Sequence, residues 1–216
     1  MGEGKAPRDV FPHDRVVFFS DAVFAIAITL LAIELHLPDA ESIERVGANA
    51  AWSETTALFI AYAISFLVLA LFWTGHMQTW KHVTRATSGL VWCSVLQLMF
   101  VALMPFATRV YSEAFHGGSR GSFAFYSLVL AGVSLFSWLS RRMVVRQENL
   151  RERLGKEQAS WLVWRGLVPL LVFAAGIPLA FVLPVWLGGF VFAMIFPLTL
   201  LAKWLCFRPT SAGPAA

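Results

Sequence analysis

Six stretches of this chain stay apolar for long enough to cross a hydrocarbon core, which takes roughly 20 residues as a helix. They run over residues 16–37, 55–80, 89–111, 123–139, 161–183 and 185–207. The pattern predicts an all-α membrane protein with six transmembrane helices in a single domain, residues 1–208, followed by a short disordered tail, 209–216. The first seven residues also read as disordered. The last two stretches touch end to end, interrupted by Gly176, Pro178, Pro184 and the pair Gly188–Gly189. Proline removes a donor and disfavours helix in the residue before it. A tight hairpin near residues 183–184 is therefore predicted, since one helix over 161–207 is far too long for a single crossing.

The first stretch has two distinct faces. On a helical wheel Val23, Ile26, Leu30, Ile33 and Leu37 share a stripe roughly 80° wide, with Thr29 at its edge. Periodicity alone reads this stripe as lipid contact or ordinary core. Asp21, Ala25, Ile28 and Ala32 lie nearly opposite. That side is mostly small, and small residues mark close helix packing in bilayers. Asp21 is out of place in a plain anchor, because an ionised carboxylate inside an apolar run costs about 3 kcal/mol unless paired or hydrated. Candidate partners stand at the same depth in LFWTGHMQTWKHV, where Trp73 and His76 are three apart and share a face. Arg15 and Asp21 are six apart, a spacing that suits a bridge between helices or subunits better than a direct bond. The cluster reads either as a polar knot that fixes helix packing or as a functional site.

Composition agrees with the pattern. A chain of 216 residues that is 58% hydrophobic and 14% charged, with mean hydropathy +0.67, is too apolar for one soluble core. Nine Trp and nineteen Phe suit a lipid-facing surface with interfacial anchors. With the N-terminus inside, fourteen Lys and Arg fall in cytoplasmic segments, and only Arg45, Arg109 and Arg120 in outer ones. This asymmetry predicts cytoplasmic N- and C-termini. It also accounts for the net charge of +4 without nucleic acid. The run RRMVVRQENLRERLGKE mixes both signs and reads as a solvated extension of the fourth helix, contact with anionic headgroups being the sharper alternative. No cleavable signal is expected, since the first apolar run is too long for one and carries Asp21 near its start.

Cys93 and Cys206 fall within spans and read as packing residues. The five histidines show no H-E-x-x-H and no Cys/His ligand spacing, so no metal site is expected. No G-x-S-x-G, P-loop or dinucleotide fingerprint points to an enzyme or a cofactor.

Arg15-x-x-x-Phe19-Ser20-Asp21, followed by AVFAIAITLL, resembles the signature of the TMEM175 family of potassium-permeable channels in its prokaryotic form. Trp73 and His76 match more loosely; members often carry two adjacent histidines where this chain has His76 and Met77. The resemblance implies a homotetramer of six-helix subunits in a bacterial inner membrane, with helix 1 lining a central pore. Ile26, Leu30 and Ile33 would stack as rings of a hydrophobic gate, with Thr29 hydroxyls beside the narrowest. Arg15, Ser20, Asp21, Trp73 and His76 would hold helix 1 in place. A leak-type channel for potassium is the expected function. Without a T-V-G-Y-G segment, modest preference over sodium would come from pore width, Thr29 and dehydration. The alternatives are a proton channel using Asp21 and His76 and a secondary transporter. Transporters tend to show internal repeats and polar broken helices, whereas GLVPLLVFAAGIPLAF is almost wholly apolar.

Overall fold

Long helices that are apolar on nearly every side bury one face on their neighbours and leave the rest to lipid. The computed structural model describes residues 10–113, 119–182, 192 and 194–207. A short strand, β1 (Val10–Phe11), leads into α1 (His13–Leu30), which tightens into a 3-10 turn over Leu31–Glu34. Helix α2 (Ala40–Val46) starts on Asp39, whose carboxylate accepts from the Ser42 N–H at 2.8 Å and satisfies an otherwise orphaned donor. Gly47, at φ 86°, turns the chain directly into α3 (Ala48–Trp80). Strand β2 (Ala86–Thr87) precedes α4 (Ser88–Ala102) and α5 (Met104–Glu113). Then come α6 (Arg120–Gln147), α7 (Leu150–Arg153), α8 (Lys156–Val182) and α9 (Ile195–Cys206).

Five segments among the described residues are long and apolar enough to cross a membrane: His13–Glu34, Ala48–Trp80, Ser88–Ser112, Arg120–Gln147 and Lys156–Val182. The third comprises α4 and α5, with a break at Leu103 two residues before Pro105, which cannot donate to the preceding turn. Of the sixth predicted span, α9 supplies 12 residues, too few to cross alone. The predicted hairpin and the predicted disordered ends lie outside the described residues.

Gly176 and Pro178 lie inside the fifth predicted span and do not interrupt its helix. Helix α8 runs unbroken through Pro169 and Pro178 to Val182. In lipid the backbone has no other partner, so a helix persists through proline and its neighbours absorb the lost bond. Gly176 serves packing instead: a Cβ there would stand 2.9 Å from Ser127 Oγ of α6. Gly132 of α6 likewise admits the Phe100 ring of α4, which a Cβ would meet at 2.5 Å. With these contacts α6 lies at the centre of the bundle, against α4, α5 and α8. The core around it gathers Phe24, Leu69, Tyr111, Tyr126, Leu130 and Phe173. Thr108 donates to Ser65 Oγ at 2.8 Å, and Ser65 lies 2.9 Å from the Tyr126 hydroxyl, so these buried hydroxyls satisfy one another.

One end of the bundle collects the N-terminal strand and several turns. Strands β1 and β2 pair antiparallel with Val10 opposite Thr87. The Glu148 carboxylate accepts from the Thr84 N–H at 2.9 Å and from the Thr84 hydroxyl at 2.8 Å, tying the α3–α4 turn to the end of α6. The Trp161 and Phe207 rings, 6.4 Å apart, bring the end of α9 to the start of α8.

Partial burial raises the Glu148 pKa, but the Thr84 and Arg85 donors and the Arg153 charge outweigh it and hold the carboxyl below its usual range. A carboxyl depressed on folding contributes stability above its unfolded pKa and loses it as pH falls through the folded one. The melting temperature in detergent is therefore expected to fall on acidification below about pH 5. Glu148→Gln should make that decline shallower. An identical slope in wild type and variant would remove Glu148 from the account.

Candidate ion pathway and helix anchor

Helix α1 packs through a row that neither predicted face contains. Ser20, Phe24, Ala27 and Leu31 are buried, on the side where α1 meets α3 and α4. On the face predicted to pack, Ala25 and Ala32 are exposed while Asp21 and Ile28 are half-buried. The reason is a single aromatic: Phe24, flanked by small Ser20 and Ala27, fills the groove between neighbours better than a flat small face would.

The aliphatic stripe stays open. Ile26 is 58% exposed, Leu30 40% and Ile33 73%, and Leu37 is exposed beyond them. Val23 departs from this row and packs against the core. Thr29 is exposed beside Ile26, and its hydroxyl donates back along the helix to the Ala25 and Ile26 carbonyls at 3.0 and 2.9 Å. Its proton is thus directed at the backbone, and the oxygen retains acceptor capacity for a donor or cation outside.

Trp73 and Asp21 meet as their matched depth suggested: the indole Nε1 donates to Asp21 Oδ1 at 2.9 Å, bonding α3 to α1. His76, 3% exposed, lies below them with its ring 5.7 Å from those of Phe24 and Trp80. The five predicted anchor residues do not form one bonded network within the chain. Ser20 donates to the Val16 carbonyl of its own helix at 2.9 Å. Arg15 is exposed and makes no ion pair with Asp21; it lines a shallow cavity of about 290 Å³ with Phe11, Phe19 and Val95. Six residues along a helix place two side chains on different sides, which keeps Arg15 from Asp21.

Residues absent from the predicted cluster complete the buried polar zone. Gln97 of α4 faces the His76 ring but stands outside bonding geometry. Neither His76 Nε2, the Gln97 amide nor Ser94 Oγ has a hydrogen-bond partner among the described residues. Gln97 is polar within an apolar run, a signal that was available. Arg141 was read as part of a solvated extension, yet it is only 5% exposed. Gly75 of α3 and Gly166 of α8 leave the space that it fills. No group of metal-ligating side chains occurs among the described residues. Cys93 and Cys206 are free thiols.

The apolar helices and their packing define an integral membrane protein with a polytopic helical fold. Residues 15–105 match the sequence profile of the family described as "Endosomal/lysosomal potassium channel TMEM175". A potassium channel of Streptomyces collinus is 36% identical over 126 residues, a match covering 56% of this chain and 59% of that protein. A potassium channel of Chamaesiphon minutus is 27% identical over 146 residues, covering 67% of this chain and 72% of the relative. The human "Endosomal/lysosomal proton channel TMEM175" is 37% identical over 115 residues, 47% of this chain and 23% of that longer protein. The crystal structure of a "lysosomal potassium-selective channel TMEM175 homolog" from Chamaesiphon minutus shares the fold. Its TM-score is 0.70 at 24% identity, over 88% of this chain and 98% of the other. The chain is thus a relative of the TMEM175 channels, as the opening of helix α1 suggested. These relatives are named as channels, which is not an enzyme class.

Proposed function

We propose that this protein is a potassium-permeable leak channel whose pore is lined by α1 from several copies of the chain. The observation that carries this reading is the open strip of Ile26, Leu30 and Ile33 with the Thr29 oxygen beside it. One copy cannot enclose a path with that strip; a homotetramer, as the family resemblance implies, would turn each position into a ring. Rings of aliphatic side chains stop ions by dewetting, because a passing ion must shed hydration with nothing to replace it. The Thr29 oxygens offer the one polar ligand on the strip, which supports a modest preference for potassium over sodium. The Asp21–Trp73 bond, with His76 beneath it, would set where α1 stands.

In this reading residues 1–208 form one six-crossing domain in a bacterial inner membrane, surrounded by lipid and without nucleic acid or cofactor. The end that gathers β1, the α3–α4 turn and the end of α6 faces the cytoplasm, in keeping with its arginines and lysines. Proton permeation is a second reading, because Asp21 lies within electrostatic reach of His76 and animal relatives are named proton channels.

The test is ion flux from liposomes holding purified protein under a potassium gradient, with a pH-sensitive dye inside parallel vesicles. Rapid, non-saturating potassium flux is expected. Slow flux that saturates and requires a counter-ion would replace the channel with a carrier. Dye response without potassium flux would leave only the proton reading.

A further inference from the structure

Two guanidinium groups stand near one another in the spanning part of the molecule, and no carboxylate among the described residues pairs with either. Arg141 of α6 is 5% exposed and Arg165 of α8 is half-buried. The ion pairs among the described residues join Arg109 to Glu34, Arg153 to Glu148 and His13 to Asp14, and none reaches these two. Arg165 donates to the side-chain oxygen of Gln78, a neutral group. Arg141 Nε has no hydrogen-bond partner among the described residues. The placement of Arg141 is built into its neighbours: a Cβ at Gly166 would stand 3.2 Å from its guanidinium, and one at Gly75 would collide with it. Like charges held out of bulk water repel. Arginine cannot relieve this by losing its proton. An uncompensated buried charge is strongly unfavourable, so the pair calls for an anion.

Beside the two arginines a groove of about 280 Å³ opens between α3, α6, α8 and α9, with apolar walls that include Phe72, Pro169, Phe173 and Leu200. Arg141 lies less than two turns from the end of α6 at Gln147, about 9 Å along the axis. Long basic side chains at that depth reach the headgroup level. We propose that this groove holds one anionic phospholipid of the surrounding bilayer. Its phosphate lies against Arg141 and Arg165, and an acyl chain follows the apolar wall. The guanidinium fork matches phosphate oxygens in paired hydrogen bonds. The apolar wall distinguishes a lipid from a free phosphate, which has nothing to place there. The inference does not depend on what the protein conducts.

The experiment is native mass spectrometry of the purified protein exchanged into phosphatidylglycerol or phosphatidylcholine of identical acyl chains. The variants are Arg165→Gln and Arg141→Gln, with Arg142→Gln as control, because Arg142 is exposed and sits 5.3 Å over the Trp138 ring outside the groove. Wild type is expected to retain one phosphatidylglycerol per chain about tenfold better than phosphatidylcholine. Arg165→Gln should lose most of that preference and Arg142→Gln none. Arg165→Gln decides the matter even where Arg141→Gln fails to fold. Equal retention of the two lipids, or an unchanged preference in Arg165→Gln, would overturn the proposal. So would displacement by inorganic phosphate alone, or a cross-link placing a second copy's carboxylate in the groove.

Discussion

Replacing Ile26 with alanine is expected to raise potassium flux through the reconstituted protein about tenfold, the equivalent of about 1.4 kcal/mol off the barrier. The effect follows from what Ile26 touches within its own chain, which is little: it is 58% exposed on a helix whose buried row is Ser20, Phe24, Ala27 and Leu31. Trimming it leaves that row intact, so the stability of the subunit should change by no more than about 0.5 kcal/mol. A ring that blocks ions by dewetting responds differently. Shorter side chains widen it and admit the water that a cation carries. The control is Leu67→Ala on α3, where an equally apolar side chain is 63% exposed. If Ile26→Ala and Leu67→Ala both leave flux unchanged, the strip on α1 faces lipid and the pore lies elsewhere.

Trp73→Phe is expected to be the most damaging single change to the anchoring of α1. It removes the indole N–H that donates to Asp21 Oδ1 across the α1–α3 contact. A hydrogen bond to a charged group contributes about 1.5–3 kcal/mol, and the loss is felt in full when the charge stays behind without a partner. Asp21→Ala should destabilise less than Trp73→Phe, because it removes the charge together with the bond. Asp21→Asn keeps a carbonyl oxygen for the indole and should lie nearest to wild type. Melting of the four proteins and the Trp73→Phe, Asp21→Ala double variant in detergent would test this order. Additive losses would show that the two side chains are independent. Non-additivity of about 1 kcal/mol or more is expected for a direct bond. Altered flux in Trp73→Phe with an unchanged melt would instead assign the bond to gating.

Part of the site was legible because depth along a span can be counted. Asp21 near the start of one helix and Trp73 near the end of the next lie at the same level, and the structure bonds them. The open side of α1 was legible too, since Ile26, Leu30 and Ile33 recur with helical spacing and remain exposed. The packing side was not. A rule that prefers small residues selected Ala25 and Ala32, whereas Phe24 and Ser20 are the residues of α1 buried completely. Which face fits depends on the shape of α3 and α4, and a wheel drawn for α1 alone does not contain them. Arg141 was misread for a related reason. Its neighbours in sequence are charged, while the glycines that bury it, Gly75 and Gly166, come from two other helices.

By itself the sequence determined that the chain lives in a membrane, where its long helices run, and that the opening of α1 carries the TMEM175 pattern. Those are properties of local composition and spacing, which lipid imposes on each segment separately. The tertiary structure decided which row of α1 is buried, that Gly132 and Gly176 of neighbouring helices admit Phe100 and Ser127, and that an arginine ends up between two glycines with no ion pair to it among the described residues. Those depend on close packing between segments far apart in the chain, where a missing Cβ or one aromatic ring determines the fit.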